Sequence, residues 1–267
     1  MQQTCILRCT VLESVDRVLR VLEVFGPSKP TLSLSEIAIQ SGLPKSSVHR
    51  LLATLIARGF LERDLATLRY RVGIRLFELG STVLHERGLQ SSGMAVAEQL
   101  AAATRETCHL AVLSGVEAVY VSKFDGASSI IMSSKVGSRA PSYCTAIGKV
   151  LIAWGGDELV EQVVASGLRP HTRKTITEPS ELARELERVR LRGYALDIEE
   201  LEDGLRCVAA PVRDFTGAVV AGIGIAGPAA RFSEELLPNL ARRVLDAAVS
   251  LSRSLGYVNR EAIPASP

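Results

Sequence analysis

The sequence predicts an α+β protein in two parts: a small N-terminal winged helix-turn-helix and, beyond a connecting helix, a larger domain built on an antiparallel sheet with helices outside it. Three observations lead there. Residues 33–73 hold two short amphipathic helical patterns, a glycine turn between them and a hairpin after them, in the order of a winged helix-turn-helix. From Leu89 onward helical patterns alternate with apolar strands joined by short turns, which is the pattern of an antiparallel sheet with covering helices. Charge is unevenly spread: Ser14 to Gly73 carries nine Lys and Arg against five Asp and Glu, an excess of +4, whereas Leu89 to the end carries 19 against 21, or −2. The field that attracts nucleic acid therefore belongs to the N-terminal part.

Taken in order, residues 1–13 read as an extension and Ser14 to Phe25 as a helix, capped by Ser14 and with Asp16 in its first turn. Its expected apolar face is Val15, Val18, Leu19, Leu22 and Phe25. Gly26-Pro27-Ser28-Lys29-Pro30 ends it. A second helix starts at Ser33 or Ser35, either of which can cap, and buries Ile37 and Ala38 before Gly42, where a sharp turn needs the left-handed backbone. Pro44 suits the first turn of a third helix, whose residues Val48, Leu51, Leu52, Leu55 and Ile56 recur at the spacing of one apolar face.

The opposite face of that third helix carries Lys45, Ser46, Ser47, His49, Arg50 and Thr54. These hydrogen-bonding groups and cations crowd toward the helix N-terminus, where a recognition helix meets base edges and phosphates. Gly59 ends the helix, and Phe60 to Arg63 and Leu68 to Val72 read as the two strands of a wing, with Arg69 and Arg71 on one face for phosphates. By periodicity alone such a face is usually just a solvated one, but the compact order and the local charge point to double-stranded DNA, with Ser35 joining the candidate contacts. Residues 14–73 are thus the expected DNA-binding domain, and 74–88 a connecting helix ending at Gly88.

The larger domain spans residues 89–258, with 259–267 as a tail. A helix from Leu89 to Thr104 precedes strands at Thr107 to Leu113, Ala118 to Phe124 and Ser129 to Ser133. Helices at Thr145 to Trp154, Asp157 to Ala165 and Ser180 to Leu191 follow, then strands at Tyr194 to Ile198, Leu205 to Val212 and Ala218 to Ala226. A helix capped by Ser233 and running to about Leu255 closes the pattern.

Composition narrows the function. A net charge of +2 and 47% hydrophobic residues describe an ordinary soluble globular chain with room for two cores. Five scattered cysteines, with no CxxC pair, fit a reduced, cytoplasmic setting better than a disulfide framework. No stretch is long and apolar enough for a signal peptide or membrane span, and no Cys/His pair has metal-ligand spacing, so neither a metal nor another cofactor is expected. Gly222 to Gly227 satisfies GxGxxG, but no following parallel strand completes a nucleotide-binding unit, so its glycines read as close packing.

The segments SVDRVLRVLEVF, LSEIAIQSGLPKSSVHRLLATLIARGFLER, ETCHLAVLSG, CTAIGKVLIAW and GYALDIEELEDGLRCVAAPV, in this order, resemble the IclR family of bacterial transcriptional regulators across residues 14–258. The resemblance implies a GAF-like effector domain after the winged helix-turn-helix, no enzymatic activity, homodimers or homotetramers on palindromic operators, and a small metabolite that changes DNA affinity.

Asp197 is a carboxylate between the apolar Leu196 and Ile198 and must be hydrogen-bonded or face a cavity. Cys207 shares a strand face with Leu205 and Ala209, and Cys144-Thr145-Ala146 opens a helix whose free amides suit a carboxylate. The resemblance carries Ile131, Cys144, Thr145, Ala146, Asp197, Cys207, Gly224 and Ala226 over as ligand contacts. Gly224 and Ala226 stand where some relatives that bind small oxo-acids have serines, which points to a larger or more apolar carboxylate, aromatic acids included. Cys108 and His109 read as core residues. The enzyme alternative is a cysteine hydrolase using Cys144 with His109 and Asp197, though no family nucleophile signature accompanies them.

Overall fold

The computed structural model describes residues 12–26, 29–86, 89, 91–127 and 134–258. The chain divides into two compact units, Met1–Val83 and Leu84–Pro267. In the first, helix α1 (Glu13–Glu23), strand β1 (Thr31–Leu32), helices α2 (Leu34–Ser41) and α3 (Lys45–Ala57), and strands β2 (Leu61–Arg63) and β3 (Tyr70–Val72) follow in order, and helix α4 (Ile74–Glu86) runs on past the unit's end at Val83. The turn between α2 and α3 depends on Gly42, whose φ of 66° is costly for any residue with a Cβ. Val21, Ile37, Val48, Leu52, Leu55 and Leu61 form the core, each fully buried aliphatic side chain contributing about 1.5–3 kcal/mol.

Several local expectations need correction. Ser14 lies inside α1, whose N-cap is Leu12 without a side-chain hydrogen bond. Glu13 and Asp16 in the first turn stabilise that end through the helix dipole instead. Val18, Leu22 and Phe25 of the expected face pack half-buried against the core, but Val21 is the residue α1 buries fully, and Val15 and Leu19 are exposed. Ser33, not Ser35, caps α2, in a reciprocal capping box with Glu36. The wing sheet has three strands in the order β1-β3-β2; β1 is too short to show a period in the sequence.

The second unit runs α5 (Ser91–Thr104), β4 (Thr107–Ser114), β5 (Glu117–Phe124), β6 (Arg139–Pro141), α6 (Ala146–Ala153), α7 (Asp157–Ala165), α8 (Pro179–Arg192), β7 (Ala195–Ile198), β8 (Leu205–Arg213), β9 (Val219–Pro228) and α9 (Leu237–Ser254). Its antiparallel sheet has the order β6-β5-β4-β9-β8-β7. The strand expected at Ser129 to Ser133 and the helix end at Gly88 lie outside the described residues. Ser233 does not cap α9: its carbonyl accepts from the amides of Leu236 and Leu237 in a preceding turn, and Pro238 opens the helix proper.

Alternation along the strands assigns the two faces of this sheet. Cys108, Leu110, Ile223 and Ile225 point to a core formed with α5 and α9. Ala111 and Ala209 belong to the opposite core, against α6, α7 and α8. Gly222 to Gly227 lie inside β9 and form no phosphate-binding loop. A Cβ at Gly224 would come within 2.6 Å of the Val208 carbonyl oxygen, so the spacing of β8 and β9 demands glycine there.

Candidate functional site

On α3, burial of Val48, Leu52 and Leu55 turns Lys45, Ser46, His49, Arg50 and Thr54 outward and leaves Ser47 half-buried. Ser35 on α2 is exposed as well. The Thr54 hydroxyl donates to the Arg50 carbonyl at 3.3 Å. Lys45 and Arg50 have no ion-pair partner among the described residues. The wing arginines differ. Arg69 donates to the Thr31 carbonyl and to Glu36 Oε2, both at 3.0 Å, fastening the wing to the start of α2. Arg71 donates through Nε to Glu62 Oε2 at 2.9 Å across the hairpin. Both pairs are exposed and worth about 0–1 kcal/mol, little enough to exchange for a phosphate.

A cavity of about 330 Å³ lies in the second unit. Its floor is the small-residue stretch of the sheet: Cys207 pairs with Ala226, and Ala209 with Gly224. The sequence puts glycine, alanine and cysteine there, so the sheet surface is low and α6 cannot fill the space above it. Thr145 caps α6, its hydroxyl accepting the Gly148 amide at 3.1 Å, and Thr145, Ala146 and Ile147 line the cavity from that side. The first amides of a helix have no intrahelical acceptor, so this wall is electropositive.

Asp197 lines the cavity from β7 and is 1% exposed. Its Oδ1 accepts the Glu200 amide at 2.7 Å, so it both faces the cavity and holds the turn after β7. Burial raises its carboxyl to about 7, against the pull of the Glu200 amide and of Lys149, and the neighbouring Glu200 carboxylate raises it further. Burial and the facing Asp197 also push the Cys207 thiol well up.

Of the positions expected from the sequence, the structure brings Thr145, Ala146, Asp197, Cys207, Gly224 and Ala226 to one cavity. Cys144 is fully buried in the core beside α6, outside the cavity lining. Ile131 lies outside the described residues. The sequence reading missed His109, Tyr120 and Ser134 in the lining, and also the acidic mouth at Glu202 and Asp203. His109 is not simply a core histidine: alternation with Cys108 and Leu110 puts it on the cavity face, a signal that was present in ETCHLAVL. The thiol of Cys144 is pushed up to about 12 by burial and the His109 imidazole down to about 4. Neither is poised as nucleophile or base, and the His109 ring bonds Ser134 rather than Cys144. Among the described residues no group of three or more His, Cys, Asp and Glu could hold a metal ion, and no helix is long and apolar enough to cross a membrane.

Comparison with known proteins agrees with this architecture. The IclR helix-turn-helix domain matches residues 14–65, and the C-terminal domain of bacterial transcriptional regulator IclR matches residues 81–253. The chain is 35% identical to the HTH-type transcriptional regulator XynR of Escherichia coli (strain K12), over 92% of this chain and 98% of that protein. It is 36% identical to KdgR of the same organism, over 92% and 94%. An IclR homolog from Microbacterium hydrocarbonoxydans, solved in complex with 4-hydroxybenzoate, superposes with a TM-score of 0.83 at 27% identity, covering 91% of this chain and 98% of that one. These relatives are named as regulators, and the hydrolase alternative falls with them. A helix-turn-helix with an exposed polar face, followed by a cavity-bearing antiparallel domain, and family matches over both parts place this chain in the IclR family of bacterial transcriptional regulators, which are DNA-binding proteins with a C-terminal effector domain.

Proposed function

We propose that this chain, acting in the cytoplasm as a homodimer or homotetramer, binds a palindromic operator and that a small carboxylate in the cavity changes its operator affinity. One observation carries the reading: the cavity places the electropositive start of α6 opposite a floor without bulky side chains. A carboxylate fits that wall, and the complex of the Microbacterium relative with 4-hydroxybenzoate makes an aromatic acid a reasonable occupant. The division of labour follows, with residues 14–73 reading DNA, 74–88 linking and 89–258 sensing. Ser35, Lys45, Ser46, Ser47, His49, Arg50 and Thr54 supply the contacts from the helix-turn-helix, and Arg69 and Arg71 those from the wing. One recognition helix covers one half-site, so a two-fold assembly is needed. Ile74 and Phe77 on α4, 64% and 67% exposed, offer an apolar surface for it.

The test is a titration of operator DNA with the full chain, with and without candidate acids. Arg50→Ala is expected to weaken operator binding by about tenfold or more, with an unchanged melting temperature, because the side chain is exposed and supports no core contact. Unaltered affinity would make the face of α3 a merely solvated one.

Asp197 adds a pH dependence. Its carboxyl is raised to about 7, so it is neutral below that pH and charged above it. An anionic effector is therefore expected to bind more tightly at pH 6 than at pH 8, its affinity falling by up to about tenfold per pH unit above 7. Calorimetric titration of wild type and Asp197→Asn checks this. The slope should vanish in the variant, and a slope that persists there would assign it to another group.

A further inference from the structure

The cavity has polar groups that the carboxylate reading leaves unused. His109 on β4 is 4% exposed and lines the cavity, its Nε2 2.8 Å from the Ser134 hydroxyl. Its ring lies against Tyr120 on β5, with centroids 4.8 Å apart. Among the described residues, neither the second ring nitrogen of His109 nor the Tyr120 hydroxyl has a hydrogen-bond partner. Both line the cavity, His109 buried and Tyr120 half-buried, so an occupant that displaces their solvent must offer each a hydrogen bond or leave it unpaired at a cost. Burial keeps the imidazole neutral, down to about 4, so it offers one hydrogen bond and no charge. Charge restricts the occupant further. Among the described residues, the lining includes Asp197, Glu202 and Asp203 and no lysine or arginine. A single anionic group can be met by the start of α6, but a second finds no counter-charge among the described lining residues and meets the acidic side chains of Glu202 and Asp203.

We propose that His109, held by Ser134, and Tyr120 form a hydroxyl-reading end of the cavity, which therefore selects a hydroxylated monocarboxylate over its unhydroxylated parent and over a dianion of the same shape. The assignment rests on the carboxylate reading above, with the acid at Thr145 to Ile147 and the hydroxyl at the aromatic pair. Across the sheet, His109 pairs with Gly224, so the space between the two ends lies over the floor that lacks side chains. A hydroxyl donates to the imidazole nitrogen or accepts from the phenol with no change of protonation, which suits a neutral pair.

The experiment is isothermal titration calorimetry of the full chain with two matched pairs of acids, benzoate with 4-hydroxybenzoate and hexanoate with its terminally hydroxylated analogue, together with the dianion terephthalate. In the wild type, the hydroxylated member of a pair is expected to bind roughly tenfold more tightly than its parent, and terephthalate roughly a hundredfold more weakly than 4-hydroxybenzoate. Tyr120→Phe, which removes one oxygen and keeps the ring, and His109→Phe are each expected to reduce the hydroxyl preference, read as the ratio of the two affinities within a pair, to about twofold. A purely structural role would lower both members of a pair together. If His109→Phe does not fold, Tyr120→Phe carries the test. Parent and hydroxylated acids bound equally by the wild type, a preference retained in the variants, or terephthalate bound as tightly as 4-hydroxybenzoate would overturn the assignment and leave the carboxylate site standing. Failure of every acid to bind would overturn the carboxylate reading itself, and this assignment with it.

Discussion

Lys149→Ala is expected to lower the stability of the C-terminal unit by about 3–5 kcal/mol, a loss on the scale of truncating a large buried aliphatic side chain. Lys149 sits on α6 with 1% of its side chain exposed, paired with Glu200 and 3.8 Å from Glu185. Glu185 in turn pairs with Arg188 at 2.9 Å and Arg192 at 2.7 Å. Removing the ammonium strands the Glu200 carboxylate, whose Oε2 already has no hydrogen-bond partner among the described residues. For a unit of this size the melting temperature should fall by roughly 6–20 °C. Burial raises the carboxyl of Glu200 above its ordinary range while Lys149 opposes the rise. A raised carboxyl favours the fold below its unfolded value and loses that contribution as pH rises through the folded one. The defect of Lys149→Ala should therefore be smaller near pH 4 than at pH 8. Thermal unfolding across pH checks both, and Lys149→Met combined with Glu200→Leu should recover much of the loss. A variant as stable as the parent at pH 8 would mean that water, not Lys149, solvates the buried carboxylates.

Ala226→Leu is expected to abolish the effector response while leaving operator binding intact. Ala226 is 5% exposed on the cavity floor, beside Cys207 and opposite Thr107 on β4. Leucine adds three carbons where the proposed acid would lie, and the neighbouring strands cannot retreat because Gly224 already marks contact with the β8 backbone. A ligand acts on DNA affinity only through unequal binding to two states, so an excluded ligand has no effect. Operator titrations in the presence of an acid that acts on the parent protein read the outcome. A response equal to that of the parent would move the effector site elsewhere. Asp197→Ala is less clean, since Asp197 also holds the Glu200 amide and its loss disturbs the fold as well as the cavity.

The N-terminal unit was legible because its signals are local. The face of α3 repeats at helical spacing, and Gly42 takes the backbone that the turn demands. Charge placement was legible only as a sum. That Arg69 and Arg71 are engaged by Glu36 and Glu62 depends on how the wing folds back on α2 and on itself. In the second unit, the helices from Ala146 to Arg192 and the strands β4, β5, β8 and β9 stand close to where alternation and helical spacing put them.

The tertiary structure decided what those elements share. His109 and Cys108 are adjacent in a strand buried on both faces, and an apolar surrounding in sequence cannot tell a core from a cavity wall. Cys144 precedes Thr145 directly, yet only Thr145 reaches the cavity, because the turn into α6 sends neighbouring side chains to different sides. Lys149 and Glu200 are 51 residues apart, and nothing in either segment announces the pair. The sequence by itself determined the order of the elements, the exposed polar face of α3 and the small residues that keep the sheet surface low, because each is written in neighbouring residues a few positions apart. The cavity and its polar ends, with the buried lysine beneath, exist only where strands and helices distant in the chain are brought within reach of one another, since hydrogen bonds and ion pairs act over a few ångströms of space and not along the sequence.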